Sequence, residues 1–332
     1  MEQVSGTFTI DLRRLAALRE LDRRGSLAKT AEAMHLTPSA VSQQLAALSR
    51  ELGVPLLERK GRGVRLTGQA RVVLQHADVI AAQLERARAE LAAWGQGRRG
   101  TLTIGAFSSA ISGLLPAALT ELAKTHPAID IAVIEAEPPD LFTRLDAGEI
   151  DVAVAVDFAE APPFTDRRYV RTDLLTDILD IALPATHRLA HRPQVPLREL
   201  AADPWIVGDP RSCCGAVTRS VCAAGGFTPE IRHAVNDWQS LASLVEAGAG
   251  VALIPRLVQP FHRPGLALRP VEGQPPTRHV FAAVRTGAEN DPVLRATLTH
   301  LTTAALASES SATTRGAGTS NPLGGSSDGA GT

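Results

Sequence analysis

The sequence predicts a mixed α/β fold, in which a helical N-terminal domain is joined by one long helix to a C-terminal region of alternating strands and helices. Three observations lead to this prediction. Leucines recur at helical spacing up to residue 52, apolar residues then repeat at intervals of three and four from 73 to 94, and short β-branched segments alternate with helical ones beyond residue 100.

The composition is that of a globular chain with several domains and no membrane partner. The 332 residues are 44% hydrophobic, and no apolar run approaches the roughly 18 residues that a membrane span needs. The N-terminus lacks the apolar segment of a secretory signal, and three cysteines suit a reducing compartment. We therefore expect a cytoplasmic protein.

The charge is distributed unevenly along the chain. Residues 1–99 carry 16 basic and 10 acidic side chains, a net charge of +6, whereas the remainder carries 18 basic and 25 acidic side chains, a net charge of −7. A basic N-terminal third favours nucleic-acid binding, because neutralising phosphates is the sequence-independent part of that binding.

The first 34 residues predict two short helices. Leucines recur at helical spacing from Leu12 to Leu21, and Gly25 interrupts the pattern. Ser26 is a suitable N-cap for a second helix that ends near Met34.

A third helix is predicted over LTPSAVSQQLAAL, with Thr37 as its N-cap and Pro38 in its first turn. Its apolar positions are Val41, Leu45, Leu48 and Leu52, and its opposite face carries Ser39, Ser42 and Gln43. These three side chains are neutral and can both donate and accept hydrogen bonds, unlike the charged side chains typical of a merely solvated helix. Two short helices joined by a tight turn, the second presenting small polar groups, indicate a helix-turn-helix.

The next segments predict a wing and a dimerisation helix. PLLER and GVRLT read as two strands around a basic tip, Lys60–Arg62, and a long helix then runs from Thr67 to about Trp94. Its apolar positions follow a 4,3 heptad that is typical of a coiled-coil seam: Val73, Ala77, Ile80, Leu84, Ala87, Leu91 and Trp94. The alternative is a helix that packs on its own domain, which usually shows a wider apolar face.

Strands alternate with helices beyond a glycine- and arginine-rich hinge at 96–100, which predicts an α/β region with mostly parallel sheets. The segment 308–332 is rich in Ser, Thr, Gly and Ala and is predicted to be disordered.

With these residues in view, the chain resembles the LysR-type transcriptional regulators over roughly residues 10–306. The most specific stretch is SLAKTAEAMHLTPSAVSQQLAALSRELGVPLLERKGRGVRLT, and VEAGAGVALIP (Val245–Pro255) is a second family signature. The sequence departs from the family pattern at Pro38, where Gln is common, and at Gly68–Ala70, where a Pro-Ala-Gly type start of the linker helix is usual.

The resemblance implies a two-lobed effector domain, similar to periplasmic binding proteins, that holds a small molecule between its lobes. The implied domains are a winged helix-turn-helix at 1–67, a linker helix at 68–95, a hinge at 96–100, an effector domain at 101–307 and a tail at 308–332. Within the effector domain, lobe 1 is about 101–172 with 275–307, and lobe 2 is about 173–274. The implied partners are double-stranded promoter DNA, the effector and further copies of the chain in a homodimer or homotetramer, and RNA polymerase is a further candidate partner.

Two sets of residues match the family's DNA-contacting positions. Pro38, Ser39, Ser42 and Gln43 match those that face the major groove, where Gln can pair with adenine and Ser with several bases. Arg59, Lys60, Arg62 and Arg65 would contact phosphate or the minor groove and position the protein rather than specify sequence.

Three strand-to-helix corners are candidate effector contacts, because open α/β sheets bind ligands at the carboxyl ends of strands. The corners carry Ser108 and Ser109, Ser212 and Cys213, and Asp237 and Trp238, and Phe158 is a further candidate for the same cleft. Free N–H groups at helix N-termini would suit an anionic metabolite. The alternative for each serine is a plain helix N-cap.

The cysteines leave a second reading open. The spacing from Cys213 to Cys222 is similar to that of the reactive pair in the peroxide-sensing branch of the family, but Ser212 replaces the histidine found there. Cys222 falls in an apolar helical stretch, where cysteine is commonly a small buried hydrophobe. A redox-responsive regulator that uses Cys213 and Cys222 is therefore the alternative to a metabolite-responsive one.

Enzymes and solute-binding proteins are rival classes. Ser26–Lys29 has the form S-x-x-K, but the other motifs of the enzymes that use it are absent, as are G-x-S-x-G, P-loop and H-E-x-x-H motifs. The basic N-terminal region argues against a solute-binding protein. We expect no enzyme activity, no cofactor and no metal site.

Overall fold

A computed structural model describes six stretches of the chain, which are residues 10–60, 63–94, 100–159, 161–209, 212–258 and 263–317. The chain divides into two compact units. The first comprises the residues up to Leu91 together with Arg285–Asn290, and the second comprises Ala92–Val284 together with the residues from Asp291 onward.

The first unit contains four helices and a two-stranded hairpin. The elements are α1 (Leu12–Arg24), α2 (Leu27–Ala33), α3 (Pro38–Leu52), β1 (Leu57–Lys60), β2 (Gly63–Leu66) and α4 (Gly68–Trp94). The expected N-caps are present, since the Ser26 side chain accepts a hydrogen bond from Lys29 N and the Thr37 side chain accepts one from Ala40 N. Gly25 ends α1 with a φ of 69°, a left-handed conformation that favours glycine.

The core of the first unit is formed by the inner faces of α1 and α3 and the start of α4. Its fully buried side chains include Leu18, Val41, Leu45, Leu48 and Leu56. The hairpin closes this core, because β1 and β2 pair antiparallel from Leu57 opposite Leu66 to Lys60 opposite Gly63. These elements form the predicted winged helix-turn-helix.

The second unit contains nine strands and six helices within the described residues. The strands are β3 (Gly100–Ala106), β4 (Ile129–Glu135), β5 (Val152–Val156), β6 (Tyr169–Pro184), β7 (Pro204–Val207), β8 (Glu230–Ala234), β9 (Ala252–Pro255), β10 (Leu266–Arg269) and β11 (Thr277–Arg285). The helices are α5 (Ser108–Gly113), α6 (Leu115–Thr125), α7 (Asp140–Ala147), α8 (Cys213–Ala224), α9 (Trp238–Glu246) and α10 (Pro292–Ala317).

The sheets are mixed, so the expectation of mostly parallel sheets is wrong. Seven strands form one sheet in the order β10-β6-β11-β5-β3-β4, with β9 also paired to β6, and β7 pairs with β8 alone. Strand β3 is parallel to β4 and β5, but β11 is antiparallel to β5, and both β9 and β10 are antiparallel to β6. Strands β6 and β11 are neighbours in this sheet, and each is antiparallel to its other neighbour, which is β10 for β6 and β5 for β11.

Several predicted boundaries fall close to these elements and stay predictions. The hinge at 96–100 lies outside the described residues except for Gly100, which begins β3. Helix α10 continues to Ala317, beyond the point where disorder is predicted to begin, and residues 318–332 lie outside the described stretches. None of the described helices is both long enough and apolar enough to cross a membrane.

Candidate functional site

The outward face of α3 presents the residues that the sequence analysis assigned to base reading. Pro38, Ser39, Ser42 and Gln43 are exposed, whereas Val41, Leu45 and Leu48 on the opposite face are fully buried. The side chains of Ser39, Ser42 and Gln43 make no hydrogen bond with any described residue, so their donors and acceptors are available to a partner.

Four residues of the wing were predicted to contact phosphate, and the structure describes the side chains of two of them. Arg59 is exposed, and Arg65 donates from Nε to Glu58 Oε1 over 2.8 Å across the hairpin. This ion pair reduces the positive charge that Arg65 offers to phosphate. Lys60 ends β1, but its side chain and Arg62 lie outside the described part of the chain.

The predicted seam on α4 is partly used by its own domain. Ala77 is buried in the core of the first unit and Val73 packs against it. Further along the helix Ile80, Leu84 and Leu91 are 37%, 52% and 74% exposed, and Ala87 is exposed as well. Trp94 ends the helix, and its side chain lies outside the described part. An exposed apolar stripe on a long helix is suited to a second copy of the helix, so the seam remains a prediction.

In the second unit, the predicted corners converge on one cavity of about 700 Å³, hereafter the cleft. Of the predicted effector contacts, Ser108, Ser109, Ser212 and Trp238 line it. The other lining residues are Phe107, Glu135–Asp140, Val207–Asp209, Cys214, Thr218, Val235, Asn236, Leu241 and Leu253. Cys213, Asp237 and Phe158 do not line the cleft, although Cys213 and Asp237 adjoin residues that do.

Hydrogen-bond acceptors already occupy the N-termini of the two longer helices that begin at the cleft. The Ser212 hydroxyl accepts a hydrogen bond from Gly215 N, and Glu137 Oε2 accepts one from Cys213 N over 3.2 Å. At the start of α9, Asp237 Oδ1 accepts a hydrogen bond from Ser240 N over 2.7 Å. The free N–H groups on which the expectation of an anionic effector rested are therefore partly satisfied by the protein itself.

A buried arginine connects both sides of the cleft. Arg278, on β11, is 3% exposed and donates from Nη2 to Ser109 Oγ over 2.6 Å and to Asp177 Oδ2 over 2.7 Å. A longer contact of 3.6 Å joins Arg278 Nη1 to Cys214 Sγ, and the guanidinium lies 5.1 Å from the centre of the Phe107 ring. One side chain thus contacts α5, α8 and the central strand β6.

Electrostatics make this arrangement costly to disturb. Burial raises the pKa of the Asp177 carboxyl, and the charge and hydrogen bond of Arg278 and the Leu257 amide lower it only in part. Burial lowers the pKa of Arg278, but the charge and hydrogen bond of Asp177 together with the nearby Cys214 and Cys213 raise it by more, so the guanidinium stays charged. Removing one partner of such a buried pair typically costs about 3–5 kcal/mol, because the other charge is left without compensation.

One polar group at the cleft lacks a partner. Trp238 is 9% exposed, and its indole Nε1 is buried without a hydrogen bond to any described residue. A buried donor without an acceptor costs about 1–3 kcal/mol.

The cysteines are free thiols in this structure. Burial raises the pKa of Cys214 to about 11 and that of Cys222 to about 12. Because the thiolate is the nucleophilic form of cysteine, both shifts lower reactivity at neutral pH.

A larger cavity in the second unit contains none of the predicted effector contacts, and the described residues form no metal site. The larger cavity, of about 1390 Å³, is lined by residues such as Asp180, His191, Arg256 and Arg269, and none of the predicted effector contacts is among them. No group of three or more His, Cys, Asp or Glu residues in the described part of the chain could hold a metal ion.

Comparison with known protein families decides the class of the protein. Residues 12–71 match the model of bacterial regulatory helix-turn-helix proteins of the lysR family, and residues 95–306 match the LysR substrate binding domain. The chain belongs to the LysR family of transcriptional regulators. The expected fold class, a DNA-binding domain followed by a two-lobed effector domain, is confirmed.

Similar proteins agree with this assignment to the LysR family. The chain is 25% identical over 280 residues to the DNA-binding transcriptional dual regulator OxyR of Escherichia coli, covering 84% of this chain and 89% of that protein. The fold is similar to that of a full-length OxyR variant from Pseudomonas aeruginosa, with a TM-score of 0.59, 19% identity and coverage of 88% and 95% of the two chains. It is also similar to that of full-length CbnR in complex with its target DNA, with a TM-score of 0.53, 22% identity and coverage of 89% and 100%.

Four residues of this LysR-type regulator were not among the predicted site residues: Glu137 and Cys214, which line the cleft, and the pair Asp177 and Arg278, of which Arg278 contacts the lining residues Ser109 and Cys214. The sequence contained a signal for two of them, since Asp177 and Arg278 are charged residues at the start of the largely apolar segments DILDIALP and TRHVFAAVR. Charged residues in strands that are otherwise buried must be paired, and a mutual pair was the simplest solution.

Proposed function

We propose that this LysR-type regulator reads promoter DNA with the outward face of α3 and is controlled by a small organic molecule bound in the cleft. The exposed neutral face of α3 supports the first part of the proposal. Ser39, Ser42 and Gln43 offer hydrogen bonds that are not used within the described chain, and a side chain such as Gln43 can pair with adenine in the major groove.

The cleft supports the second part of the proposal. It combines apolar walls with a few polar groups from several elements, as small-molecule sites usually do. Ser109 and Cys214, from its two sides, both contact Arg278, so a ligand that moves either side acts on the same buried hydrogen bonds. An effector could in this way change the geometry of a dimer or tetramer on DNA. We place this activity in the cytoplasm, without catalysis, and keep RNA polymerase as a candidate partner.

Thiol-based redox control is the second candidate. It is favoured by the relatives, one of which is the probable hydrogen peroxide-inducible genes activator of Mycobacterium leprae, 29% identical over 279 residues. That candidate was predicted to use Cys213 and Cys222; the contact of Arg278 is instead with Cys214, where a guanidinium stabilises a thiolate. The raised pKa values of Cys214 and Cys222 disfavour it. We therefore rank control by a bound molecule above control by oxidation.

The experiment that tests the proposal measures binding of the chain to DNA from upstream of its own gene. Gln43→Ala should weaken binding to the specific site by about 1–3 kcal/mol and relax its sequence preference. Arg59→Ala should weaken binding to all sequences alike and lower the slope of affinity against salt by about one unit.

The control variant is Gln75→Ala, which removes an exposed glutamine from α4 instead of α3. It should bind DNA as the wild type does. If Gln43→Ala and Arg59→Ala gave the same specificity profile, the assignment of base reading to α3 would be refuted.

A further inference from the structure

We infer that the cleft binds an effector that carries a positively charged ammonium group and a hydrogen-bond acceptor, with the ammonium group facing Glu135 and Glu137. This inference rests on the proposed function, because it names the class of ligand for the same cleft. It departs from the sequence-based expectation of an anionic metabolite.

The charge of the lining is the first reason. The described residues that line the cleft include four carboxylates, Glu135, Glu137, Asp140 and Asp209, but no lysine or arginine. Asp140 is paired with Arg144 over 2.8 Å, and the nearby charge of Arg278 is compensated by Asp177. Glu135 and Glu137 make no ion pair with any described residue, so the described lining repels an anion and attracts a cation.

The positions of Glu135 and Glu137 are the second reason. Glu135 ends β4 opposite Ala106, and the next residue continues the extended pairing through a 3.0 Å hydrogen bond from Ala136 N to Ala106 O. Residues two apart on an extended chain point to the same face, so the two carboxylates share one face. The contact from Glu137 Oε2 to Cys213 N shows that this face meets the start of α8 across the cleft.

Trp238 is the third and independent reason. Its indole N–H is buried at the lining of the cleft and has no acceptor among the described residues. The carboxylates predict a donor on the ligand, whereas this N–H predicts an acceptor such as a hydroxyl, ether or carbonyl oxygen. Phe107, Val207, Val235 and Leu253 supply apolar walls for the ligand body, and a volume of about 700 Å³ suits a small organic molecule.

The test uses the full chain and three probes that share a phenyl-ethyl skeleton: tyramine, phenethylamine and phloretate. Tyramine has an ammonium group and a phenol oxygen, phenethylamine lacks the phenol, and phloretate has a carboxylate in place of the ammonium group. Thermal unfolding and calorimetric titration should show binding of tyramine and none of phloretate. Glu135→Gln together with Glu137→Gln should weaken tyramine binding at least about tenfold.

The matched control is Glu121→Gln together with Glu230→Gln, which also removes two negative charges from the second unit. Both residues form exposed ion pairs outside the cleft, with Lys124 and Arg232. The control should bind tyramine as the wild type does. The inference is overturned if phloretate binds as well as tyramine, if the Glu135/Glu137 variant keeps its tyramine affinity, or if tyramine does not bind the wild type up to millimolar concentration.

Trp238→Phe tests the acceptor separately, because it removes the N–H donor together with one ring of the indole, and the loss of packing should affect tyramine and phenethylamine alike. It should weaken tyramine binding more than phenethylamine binding, and an equal loss for both probes would refute the role of the acceptor. Binding to upstream DNA without probes is measured on the same preparations. If the wild type binds upstream DNA normally but does not bind tyramine, only the ligand class is refuted. If the wild type shows no sequence-specific DNA binding, the proposed function is refuted.

Discussion

The face of α3 and the buried site at Ser109 and Arg278 beside the cleft are both polar, but the polar groups of the first are unpaired within the described chain and those of the second are paired. Ser39, Ser42 and Gln43 on α3 are exposed, and their side chains make no hydrogen bond within the described part of the chain. Beside the cleft, the lining residue Ser109 and its partner Arg278 are buried and bonded to each other. The donors and acceptors of the first surface are free to bind a partner, whereas those of the second form hydrogen bonds within the protein.

The first surface is suited to the recognition of DNA, and the second is suited to the transmission of an effector signal. A surface that reads DNA must exchange water for bases, so its groups stay solvated until the partner arrives. A buried ion pair does not exchange water for a partner. It is stable only while its two side chains stay close enough to compensate each other's charge. Substitutions at the two places should therefore differ in whether they change binding or folding.

The largest effect is expected from Arg278→Met. The substitution leaves Asp177 buried without its partner, so the free energy of unfolding of the second unit should fall by about 3–5 kcal/mol. Urea unfolding followed by circular dichroism measures it. Arg232→Ala breaks only the exposed pair with Glu230 and should cost less than about 1 kcal/mol. Equal unfolding midpoints for the two variants would show that the buried pair is not the constraint we describe.

Asp177→Leu together with Arg278→Met sharpens this comparison. Because both charges are then removed, the double variant should recover much of the stability lost by Arg278→Met alone. It should nevertheless respond poorly to any cleft ligand, since Ser109 and Cys214 lose their common partner. A double variant as unstable as the single one would indicate that packing, rather than charge, dominates at this position.

The next effect concerns the exposed stripe of α4, a third surface that is apolar instead of polar. Ile80→Asp together with Leu84→Asp would place charges in the predicted seam, so the variant should sediment as a smaller species and lose operator binding. Val72→Asp together with Val79→Asp is the control, because these valines are also exposed on α4 but do not occupy seam positions of the predicted heptad. If both variants dissociated, the register of the seam would be wrong, and if neither did, another surface would hold the oligomer together.

The smallest effect concerns the pH dependence of the thiol at the cleft. Burial raises the pKa of Cys214 to about 11, above that of an ordinary cysteine, so its thiolate fraction at neutral pH is unusually low. Alkylation of Cys214 by iodoacetamide, followed by mass spectrometry, should be slow near neutral pH. Its rate should rise about tenfold per pH unit until the pH approaches about 11.

The unfolded chain in guanidinium chloride is the control for this alkylation, since its cysteines titrate near their ordinary value. A folded-state rate that levelled off close to neutral pH would reverse our ranking. Redox control through the cleft would then become the better-supported mechanism.

The elements that sequence analysis predicted well are those whose evidence is local. Thr37, Pro38 and the spacing from Val41 to Leu48 lie within a few turns of one helix, so the cap, the inner face and the outer face of α3 follow from periodicity alone. The corners at Ser109, Ser212 and Trp238 followed from the rule for strand ends, and the structure brings them to one cleft.

The features that were missed depend on contacts between distant parts of the chain. Arg278 meets Ser109 across 169 positions and Asp177 across 101, and nothing in a window of the sequence specifies that pairing. The sheets were expected to be mostly parallel because strands alternate with helices. That rule does not anticipate strands such as β6 and β11, which pair with neighbours running in the opposite direction.

The isolated indole of Trp238 also gives this regulator an intrinsic optical probe. The chain has three tryptophans, and Trp205 is fully buried with its N–H already donated to Leu200 O over 3.2 Å. Replacing Trp94 and Trp205 by phenylalanine would leave Trp238 as the sole emitter, in an apolar setting that favours emission at short wavelength. An acceptor arriving at its N–H would shift that emission to longer wavelength, so occupancy of the cleft could be followed by fluorescence without any label and without DNA.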